Sequence, residues 1–493
     1  MSCAAGKWLA VAFLGLAVRP WFVLAEGTVP ADALVPAHGK YSQTYQGDWA
    51  NLPTGKQLAK HDLGAYTLKD VKGQEARRRF QGQKKVRLAG ERLRVSWPKP
   101  ECDKYRHTLY HFVNCDEALI EDMIVAQADP DYRASSVFFF EDCGTVTVRN
   151  CFLGGTSGRA LIRIEGCEQY FIDRVEISGI DYPGVGVRSG PGIFINNGQG
   201  WDPARNRAGE IHSETPRNLK WGVIQNSYIH DYPNVVPDTN HDGILFHAPA
   251  DGLVFNCVFE NYEADSCLDI SHRRNDAAYQ SHLFRLERNI FTNCHRVKTN
   301  GAVGSATCAI VWANNLYLNS MLTDYHVGWP NWHLHETFAF TRAPSYFLTM
   351  HCRPGGTLFR NCLFWSPERP RSMYEPWGRE GEDVTAIEPD HFLYLTPAPS
   401  SWLKPRGKVG TTILDWPAWQ KAGFDRHSQL ANSPPHFLEA EREDFRLLPN
   451  SPAARVGTPA VLQPEGLRPG ILWDFHKRPR PNPPSVGAFE VAP

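Results

Sequence analysis

Short apolar segments recur along the middle of the chain, and a polar residue, usually asparagine, divides each of them. The segments read LIEDMIV, VTVRNCF, FIDRVEI, GVIQNSYI, LVFNCVF, LERNIF, WANNLYL and TLFRNCLF. The dividing residues are Asp122, Asn150, Arg174, Asn226, Asn256, Asn289, Asn315 and Asn361, at steps of 28, 24, 52, 30, 33, 26 and 46 residues. Runs rich in Val, Ile and Phe between Asn and Gly turns predict stacked strands. We expect one coil of chain per step, with each long step being one coil plus an insertion.

Cysteines follow the same spacing as the dividing residues. Cys115, Cys143 and Cys167 each precede a strand by a few residues, and Cys151, Cys257 and Cys362 each follow a dividing Asn directly. This registry is expected when each coil places a side chain above its counterpart in the next, since small apolar thiols fill such columns well. We therefore expect stacked, buried thiols, with a disulfide framework as the alternative.

The first 25 residues have the pattern of a secretion leader. Lys7 supplies the positive charge, an apolar run follows from 8 to 18, and small residues end at Ala25. The run is too short to cross a bilayer, so we expect a secreted protein without stable membrane insertion; an uncleaved anchor is the alternative. The predicted organisation is a leader at 1–25, an N-terminal cap and extended region at 26–109, a parallel β-helix at 110–370, and a C-terminal end and tail at 371–493.

The overall charge excludes some partners. Lys and Arg number 52 and Asp and Glu 53, which gives a formal net charge of −1. A near-neutral chain is a poor general binder of nucleic acid, so we expect no nucleic-acid partner. We also expect the protein to be a monomer. A local basic site for an acidic ligand stays open.

The tail carries a second recognisable pattern. Phe445-Arg446-Leu447, Asn450-Ser451-Pro452 and the stretch from Asp474 through Pro479-Arg480 to Glu490 resemble the closing motif of exported bacterial β-helix proteins. Together with the repeat, this chain resembles the right-handed parallel β-helix proteins of the pectate-lyase type. The resemblance implies an all-β solenoid with a cap region and long loop insertions; a β-sandwich is the structural alternative.

Alternation within three neighbouring strands predicts which side chains point out of the coil. Leu245, Asp269 and Lys298 form one outward column, and His247, Ser271 and Asn300 form a second. Polar groups at the adjacent turns are Asp242, Asp265, His272, Arg273 and Arg296. The insertions, at about 182–217 and 321–351, carry Trp201, Trp329, Trp332, His333 and His335. We expect these loops to wall a cleft where aromatic rings and polar groups bind sugars.

The predicted cleft suits β-elimination on a uronic-acid polysaccharide. That reaction needs a cation beside the C5 carboxylate, a base for the C5 proton and an acid for the leaving oxygen. We expect Lys298 as the base, and Arg273 and Arg296 beside the carboxylate. The alternatives for proton transfer are His241, His247, His272 and His295.

The segment SCLDISHRR followed by CHRVKTNG resembles the calcium-dependent pectate lyases and the chondroitinase-B and alginate-lyase family. The resemblance implies a metal-ligand position at Asp269 and a catalytic one at Lys298, or at Arg273 in the second family's pattern. Asp242, Asp265 and Asp269 would supply the oxygen ligands of a Ca²⁺ ion. Cys267 and Leu268 depart from the pattern, because paired acids are expected there. Without a metal, Asp269 and Lys298 form a structural ion pair.

Three alternatives remain open from the sequence. Asp242, Asp265 and Asp269 could serve a glycoside hydrolase that uses two carboxylates. His333 and His335, two residues apart, could bind zinc on one strand face. The same scaffold could also bind polysaccharide without cleaving it, because function depends on the site and not on the fold.

Overall fold

The structure is a computed structural model that describes most of the chain from residue 53 onward. The described residues are 53–97, 108–127, 136–155, 160–179, 190–196, 217, 219–232, 242–247, 251–263, 266–272, 282–301, 308–325, 331–351, 357–378, 387–404, 406–407, 412–440, 444–459, 473–476 and 478–491.

Twelve parallel strands stack side by side into one sheet, called sheet 1. They are β2 (Arg78–Gln81), β5 (Thr108–Val113), β8 (Ser136–Glu141), β10 (Ile162–Glu165), β12 (Ile193–Asn196), β15 (Ile244–Phe246), β18 (Leu268–His272), β21 (Val297–Gly301), β24 (Leu322–Tyr325), β27 (Leu348–His351), β30 (Tyr374–Gly378) and β33 (Arg406–Gly407).

Twenty-two further strands form two more parallel stacks, which join where β9 and β11 run through both. Sheet 2 contains β3 (Lys85–Ala89), β6 (Glu117–Glu121), the start of β9 (Thr145–Gly154) and of β11 (Gln169–Ser178), β13 (Trp221–Gln225), β16 (Asp251–Phe255), β19 (His282–Glu287), β22 (Cys308–Ala313), β25 (Asn331–Leu334), β28 (Thr357–Arg360) and β31 (Ile387–Asp390). Sheet 3 contains β1 (Lys69–Lys72), β4 (Arg92–Ser96), β7 (Ile124–Gln127), the ends of β9 and β11, β14 (Tyr228–Tyr232), β17 (Val258–Tyr262), β20 (Ile290–Cys294), β23 (Leu316–Leu318), β26 (Thr337–Ala339), β29 (Leu363–Trp365), β32 (Leu393–Leu395) and β34 (Gln429–Ala431).

A few short elements lie outside the stacks. They are α1 (Gly55–Ala59), a 3₁₀ turn (Leu63–Ala65), α2 (Gly73–Ala76), α3 (Trp416–Lys421) and the antiparallel pair β35 (Phe437–Glu439) and β36 (Asp444–Leu447). The chain therefore winds from sheet 1 to sheet 2 to sheet 3 and back, which is a parallel β-helix, as the sequence predicts. Among the described helices, none has the length and apolar content needed to cross a membrane.

Coils turn from sheet 2 to sheet 3 at single residues with left-handed backbone. These are Asp122, Asn150, Arg174, Asn226, Asn256, Arg288, Asn314, His335, Asn361 and His391, with φ between 50° and 58°. Asn tolerates this conformation well, and its amide can bond the next coil. Asn256 Nδ2 donates to Asn226 Oδ1 at 2.8 Å, which is a bond of this kind. Six of the eight predicted dividing residues are confirmed.

The prediction is wrong by one residue at Asn289 and Asn315. Arg288 and Asn314 make the turns, and the next residue in each case points into the coil, where it is fully buried. Asn289 donates its backbone N–H to Asn315 Oδ1 at 2.8 Å, and Asn315 donates its own to Glu336 Oε1 at 3.2 Å. We call Asn289, Asn315 and Glu336 the inner ladder. These polar groups occupy the position that Cys257 and Cys362 fill in other coils.

The predicted thiol columns are confirmed. Eight cysteines are free and buried in the described part of the chain, namely Cys115, Cys143, Cys151, Cys167, Cys257, Cys267, Cys294 and Cys362. The backbone N–H of Cys143 donates to Cys167 Sγ at 3.3 Å, one coil away. Aromatic rings stack in the same manner, for example Phe112 on Phe140 at 4.7 Å and Tyr317 on Phe338 at 4.5 Å between centroids. Such pairs add about 1 kcal/mol each to the burial of the rings.

The solenoid extends beyond the predicted limits of 110 and 370. Strand pairing begins at Lys69, which pairs with Leu93, and it continues to Ala431, which pairs with Leu395. The second expected insertion, 321–351, is wrong, because this stretch contains β24 to β27 and is itself a coil. The 46-residue step is therefore two coils, with a turn at His335 between them.

The tail packs along the side of the solenoid rather than across its end. Ala488 donates its backbone N–H to Thr337 Oγ1 at 2.8 Å, and Phe475 and Phe489 pack with Leu316 and Ala339. At the C-terminal end of the core, α3 places the ring of Trp419 against Tyr374 at 5.1 Å.

Candidate active site on sheet 1

The strand register of sheet 1 confirms that the three residues of the first predicted column are paired in successive strands. Leu245 pairs with Asp269, and Asp269 pairs with Lys298. Leu268 and Ile270, on either side of Asp269, belong to the core, so the Asp269 side chain points out of the coil. Neighbouring positions of the column are about 4.8 Å apart, so this geometry brings a carboxylate and a lysine position together.

The column continues in both directions along the side of sheet 1 that points away from the core, and we call this side the sheet-1 face. Its members, from the N-terminal coils onward, are His111, Phe139, Arg163, Phe194, Leu245, Asp269, Lys298, Thr323, Thr349 and Glu375. A second column two residues further along each strand contains Glu141, Glu165 and Asn196. Ser271 and Asn300 are paired in that column, as predicted.

The N-terminal part of the sheet-1 face holds paired charges. His111 Nε2 lies 3.0 Å from Glu141 Oε2, and its ring stacks on Phe139 at 4.7 Å. The guanidinium of Arg163 lies 4.3 Å from the centre of the same Phe139 ring and donates from Nε to Glu165 Oε1 at 2.9 Å. Glu141 and Glu165 are adjacent in register, so two carboxylates, one guanidinium and one imidazole meet around one aromatic ring.

A carboxyl with an unusual affinity for protons lies beside these pairs. Asp142 follows Glu141 and turns the chain with φ of 55°. Burial raises the pKa of Asp142 to about 7, and the nearby charges of Glu141 and Glu165 raise it too, while Arg217 opposes them. A carboxyl with this pKa is partly protonated near neutral pH, which is the property that a general acid needs.

The middle of the sheet-1 face combines apolar and polar contacts. The half-buried ring of His247 meets Phe194 edge-on, with 4.8 Å between centroids. Asp269 is only 3% exposed, and Leu245 in the preceding strand is also buried. Arg296, half-buried, precedes β21, and its carbonyl accepts the N–H of Cys267 at 3.0 Å.

The predicted calcium ligands are not assembled by the described residues. Asp242 is completely buried inside the coil, close to the core groups Tyr262 and Cys267, whose pKa values are raised first by burial and further by Asp242. Asp269 points to the opposite side of the strand, so the two carboxylates cannot bind one ion together. Asp265 lies outside the described residues. The donor set therefore does not fit Ca²⁺ at this position.

Several predicted site residues are described only in part. Lys298, His272 and Asn300 are placed on their strands by the backbone, and their positions in the register are those given above. Arg273, Trp329 and Trp201 lie outside the described residues.

The placement expected for His333, His335 and Trp332 beside the sheet-1 face is wrong. His333 is buried in the core, stacked between Trp312 at 5.4 Å and Phe359 at 4.5 Å. His335 is the turn residue of its coil and is completely buried, and burial lowers its pKa well below the usual value. Trp332 lies on sheet 2. The two histidines therefore do not form a zinc site on one exposed strand face.

Sequence reasoning missed His111, Glu141, Arg163 and Glu165. The alternation that assigned Leu245 and Asp269 outward also applies to the strands FFFE and IRIE, so the column could have been extended upstream from the sequence alone. Their polar residues were overlooked because the dominant signal of those strands is apolar.

Neither the known protein-family models nor the curated proteins contain a match to this chain.

Proposed function

We propose that this protein is a secreted enzyme that binds an acidic polysaccharide along the sheet-1 face and cleaves it by β-elimination. The observation that carries the proposal is the register of Asp269 and Lys298 in one column, with His247 in the adjoining one. Arg163 adds a cation further along the same face. A linear row of cationic and aromatic groups suits a linear, negatively charged sugar chain.

The position of Asp269 suggests which roles Lys298 and His247 have in the reaction. A carboxylate beside Lys298 favours the ammonium form, and an ammonium group is suited to neutralising the C5 carboxylate of a uronate. His247 lies roughly 10 Å away, two strands along the sheet, and would take the C5 proton. The C5–H and C4–O bonds break, a C4–C5 double bond forms, and the proton passes to the leaving oxygen. No step is assigned to Ca²⁺.

A substrate screen with two readouts tests the proposal. Purified protein is incubated with uronic-acid and neutral polysaccharides, with calcium or with chelator, and both ultraviolet absorbance and reducing ends are followed. We expect absorbance from an unsaturated uronate, and we expect Lys298→Ala to lower that rate by at least about 100-fold. Lys220→Ala is the matched control, because Lys220 forms an ion pair with Glu168 and both residues directly precede strands of sheet 2. A rate in Lys298→Ala equal to that of the unaltered chain would overturn the proposed role of Lys298.

Hydrolysis is the second candidate, favoured by the carboxyls at the N-terminal part of the face. Burial raises the pKa of Asp142 to about 7, and Glu165 forms an ion pair with Arg163. Glycoside hydrolysis needs one carboxyl that donates a proton and a second carboxyl near the bond that breaks. Reducing ends without absorbance, abolished by Asp142→Asn and Glu165→Gln, would select this candidate. Retained affinity without either signal would select a binding protein.

A further inference from the structure

A compact group of metal-ligating side chains lies between sheets 2 and 3, away from the sheet-1 face. Asp390 ends β31, His391 is the left-handed turn residue that follows, and His427 precedes β34. Leu393 pairs with Gln429, so His391 and His427 occupy equivalent positions in successive coils. Other coils place Asn at this turn, as at Asn256, Asn314 and Asn361. A histidine in two consecutive coils puts two imidazoles next to each other.

Distances within the group are short. His427 Nδ1 lies 2.7 Å from Asp390 Oδ2, and His391 Nε2 lies 3.9 Å from the same oxygen. One ligand atom from each of the three residues lies within 4.8 Å of the others. Two ligands on one tetrahedral zinc ion are roughly 3.3 Å apart, given bond lengths near 2.0–2.1 Å. Small rotations of the side chains therefore bring the three atoms to a common centre.

The surroundings hold the carboxylate and leave one ring free to move. Asp390 Oδ1 accepts the backbone N–H groups of His391 at 3.0 Å and His427 at 2.7 Å, which fixes the carboxylate. The side chain of His427 is 64% exposed, whereas that of His391 is 27% exposed. The imidazole rings are nearly parallel and 4.9 Å apart, so the His427 ring must turn for its lone pair to converge with that of His391. Its exposure permits this movement.

We propose that Asp390, His391 and His427 bind a divalent transition-metal ion of the zinc type, with water completing the coordination. Two imidazole nitrogens and one carboxylate oxygen suit Zn²⁺ and not Ca²⁺, which prefers six to eight oxygen ligands. Binding replaces the hydrogen bond between His427 and Asp390 and releases the Nδ1 proton or moves it to Nε2. The ion would tie two successive coils together near the C-terminal end of the solenoid.

One neighbouring charge opposes binding of a cation. Arg360 is the opposing cation. It donates to the Glu388 carbonyl at 2.7 Å and lies 3.4 Å from the Glu388 carboxylate, which partly offsets its charge.

A titration of the full chain with zinc tests the site. Chelator-treated protein is titrated with Zn²⁺ by calorimetry at pH 7, and with Co²⁺ while visible absorbance is recorded. His391→Asn keeps a residue suited to the left-handed turn, and His427→Ala removes an exposed ring. We expect each variant to weaken zinc binding by at least about 10-fold and to lose the tetrahedral Co²⁺ absorbance.

His436→Asn is the matched control, since His436 is another left-handed histidine that does not belong to the group. We expect it to bind zinc like the unaltered chain. Circular dichroism in chelator checks that all variants are folded, which separates loss of a ligand from loss of structure. The proposal would be overturned if the unaltered chain showed no saturable zinc binding. It would also be overturned if His391→Asn and His427→Ala bound zinc as tightly as the unaltered chain. Because the readout is binding, the result is independent of the proposed lyase activity.

Discussion

Two stacks of polar side chains run through this solenoid, and they differ in what their polar atoms contact. In the inner ladder, side-chain oxygens of Asn315 and Glu336 accept backbone N–H groups, and Asn315 Nδ2 donates to the Leu286 carbonyl at 2.9 Å. On the sheet-1 face, Arg163 and Glu165 contact each other, as do His111 and Glu141.

The difference separates polar groups that build the fold from polar groups open to another role. A buried amide that satisfies the backbone cannot be removed without leaving an unpaired donor or acceptor. Two side chains whose polar atoms pair with each other can be replaced together by apolar residues at little cost. Regular spacing of polar residues is therefore a sign of stacking, and only their partners indicate whether a ligand could use them.

The largest expected effect concerns Glu336, at the end of the inner ladder. Burial raises the pKa of Glu336 to about 8, although hydrogen bonds, including those from Asn315, lower it in part. The fold therefore favours the protonated form. The contribution of this raised pKa to the free energy of unfolding is fully present below pH 4.5, declines as pH rises, and is lost above about pH 8.

Glu336→Gln cannot ionise and should remove this dependence. Between pH 4.5 and 9 we expect the unaltered chain to lose on the order of 4 kcal/mol relative to the variant. Urea unfolding at a series of pH values measures the difference. Parallel stability curves for the two proteins would contradict a protonated Glu336.

The next effect is the removal of an amide from the middle of the ladder. Asn315→Ala leaves the buried N–H of Asn289 and the carbonyl of Leu286 without their partner, and we expect a loss of about 3 kcal/mol in the free energy of unfolding. Asn293→Gly is the control. Asn293 bonds Asn261 at 3.2 Å in an exposed ladder, and glycine tolerates its φ of 53°.

We expect less than about 1 kcal/mol from that control, measured by the same unfolding experiment. Equal losses in the two variants would mean that backbone contacts do not distinguish the inner ladder from the exposed one.

The smallest expected effect on stability is on the sheet-1 face. Replacing both Arg163→Met and Glu165→Leu removes a mutually paired set, so the free energy of unfolding should change by no more than about 1 kcal/mol. Affinity for an acidic polysaccharide, measured by calorimetry or gel retardation, should nevertheless fall. A large loss of stability would assign this pair to the fold instead of to a ligand.

The fold could be read from the sequence because stacking repeats the same residue types at nearly constant spacing. The pairing of Leu245, Asp269 and Lys298 followed from alternation alone, since one strand in each coil fixes the register of the next. Errors arose where two candidates were adjacent. In Arg288-Asn289 the second residue is the more usual turn residue, and in Asn314-Asn315 the two residues are identical, but in both pairs the first residue makes the turn.

The site was harder to predict because polarity does not reveal which side of a strand a residue occupies. The segment NWHLHETFA contains two histidines and resembled an exposed loop, whereas His333 contributes an aromatic ring to the core. Asp242 was predicted at an exposed turn for a similar reason, although it lies inside the coil. Its surroundings come from residues in other coils, such as Tyr262 and Cys267, whose proximity requires the three-dimensional structure.

The buried thiols can report local unfolding of individual coils. Burial raises the pKa of Cys151 and of Cys257 to about 12, so almost none of either thiol is in the reactive form while its coil is closed. An alkylating reagent would therefore modify each site only when that stretch of the solenoid unwinds. Mapping the modified cysteines during mild denaturation would show at which coil the unwinding starts and in which direction it spreads.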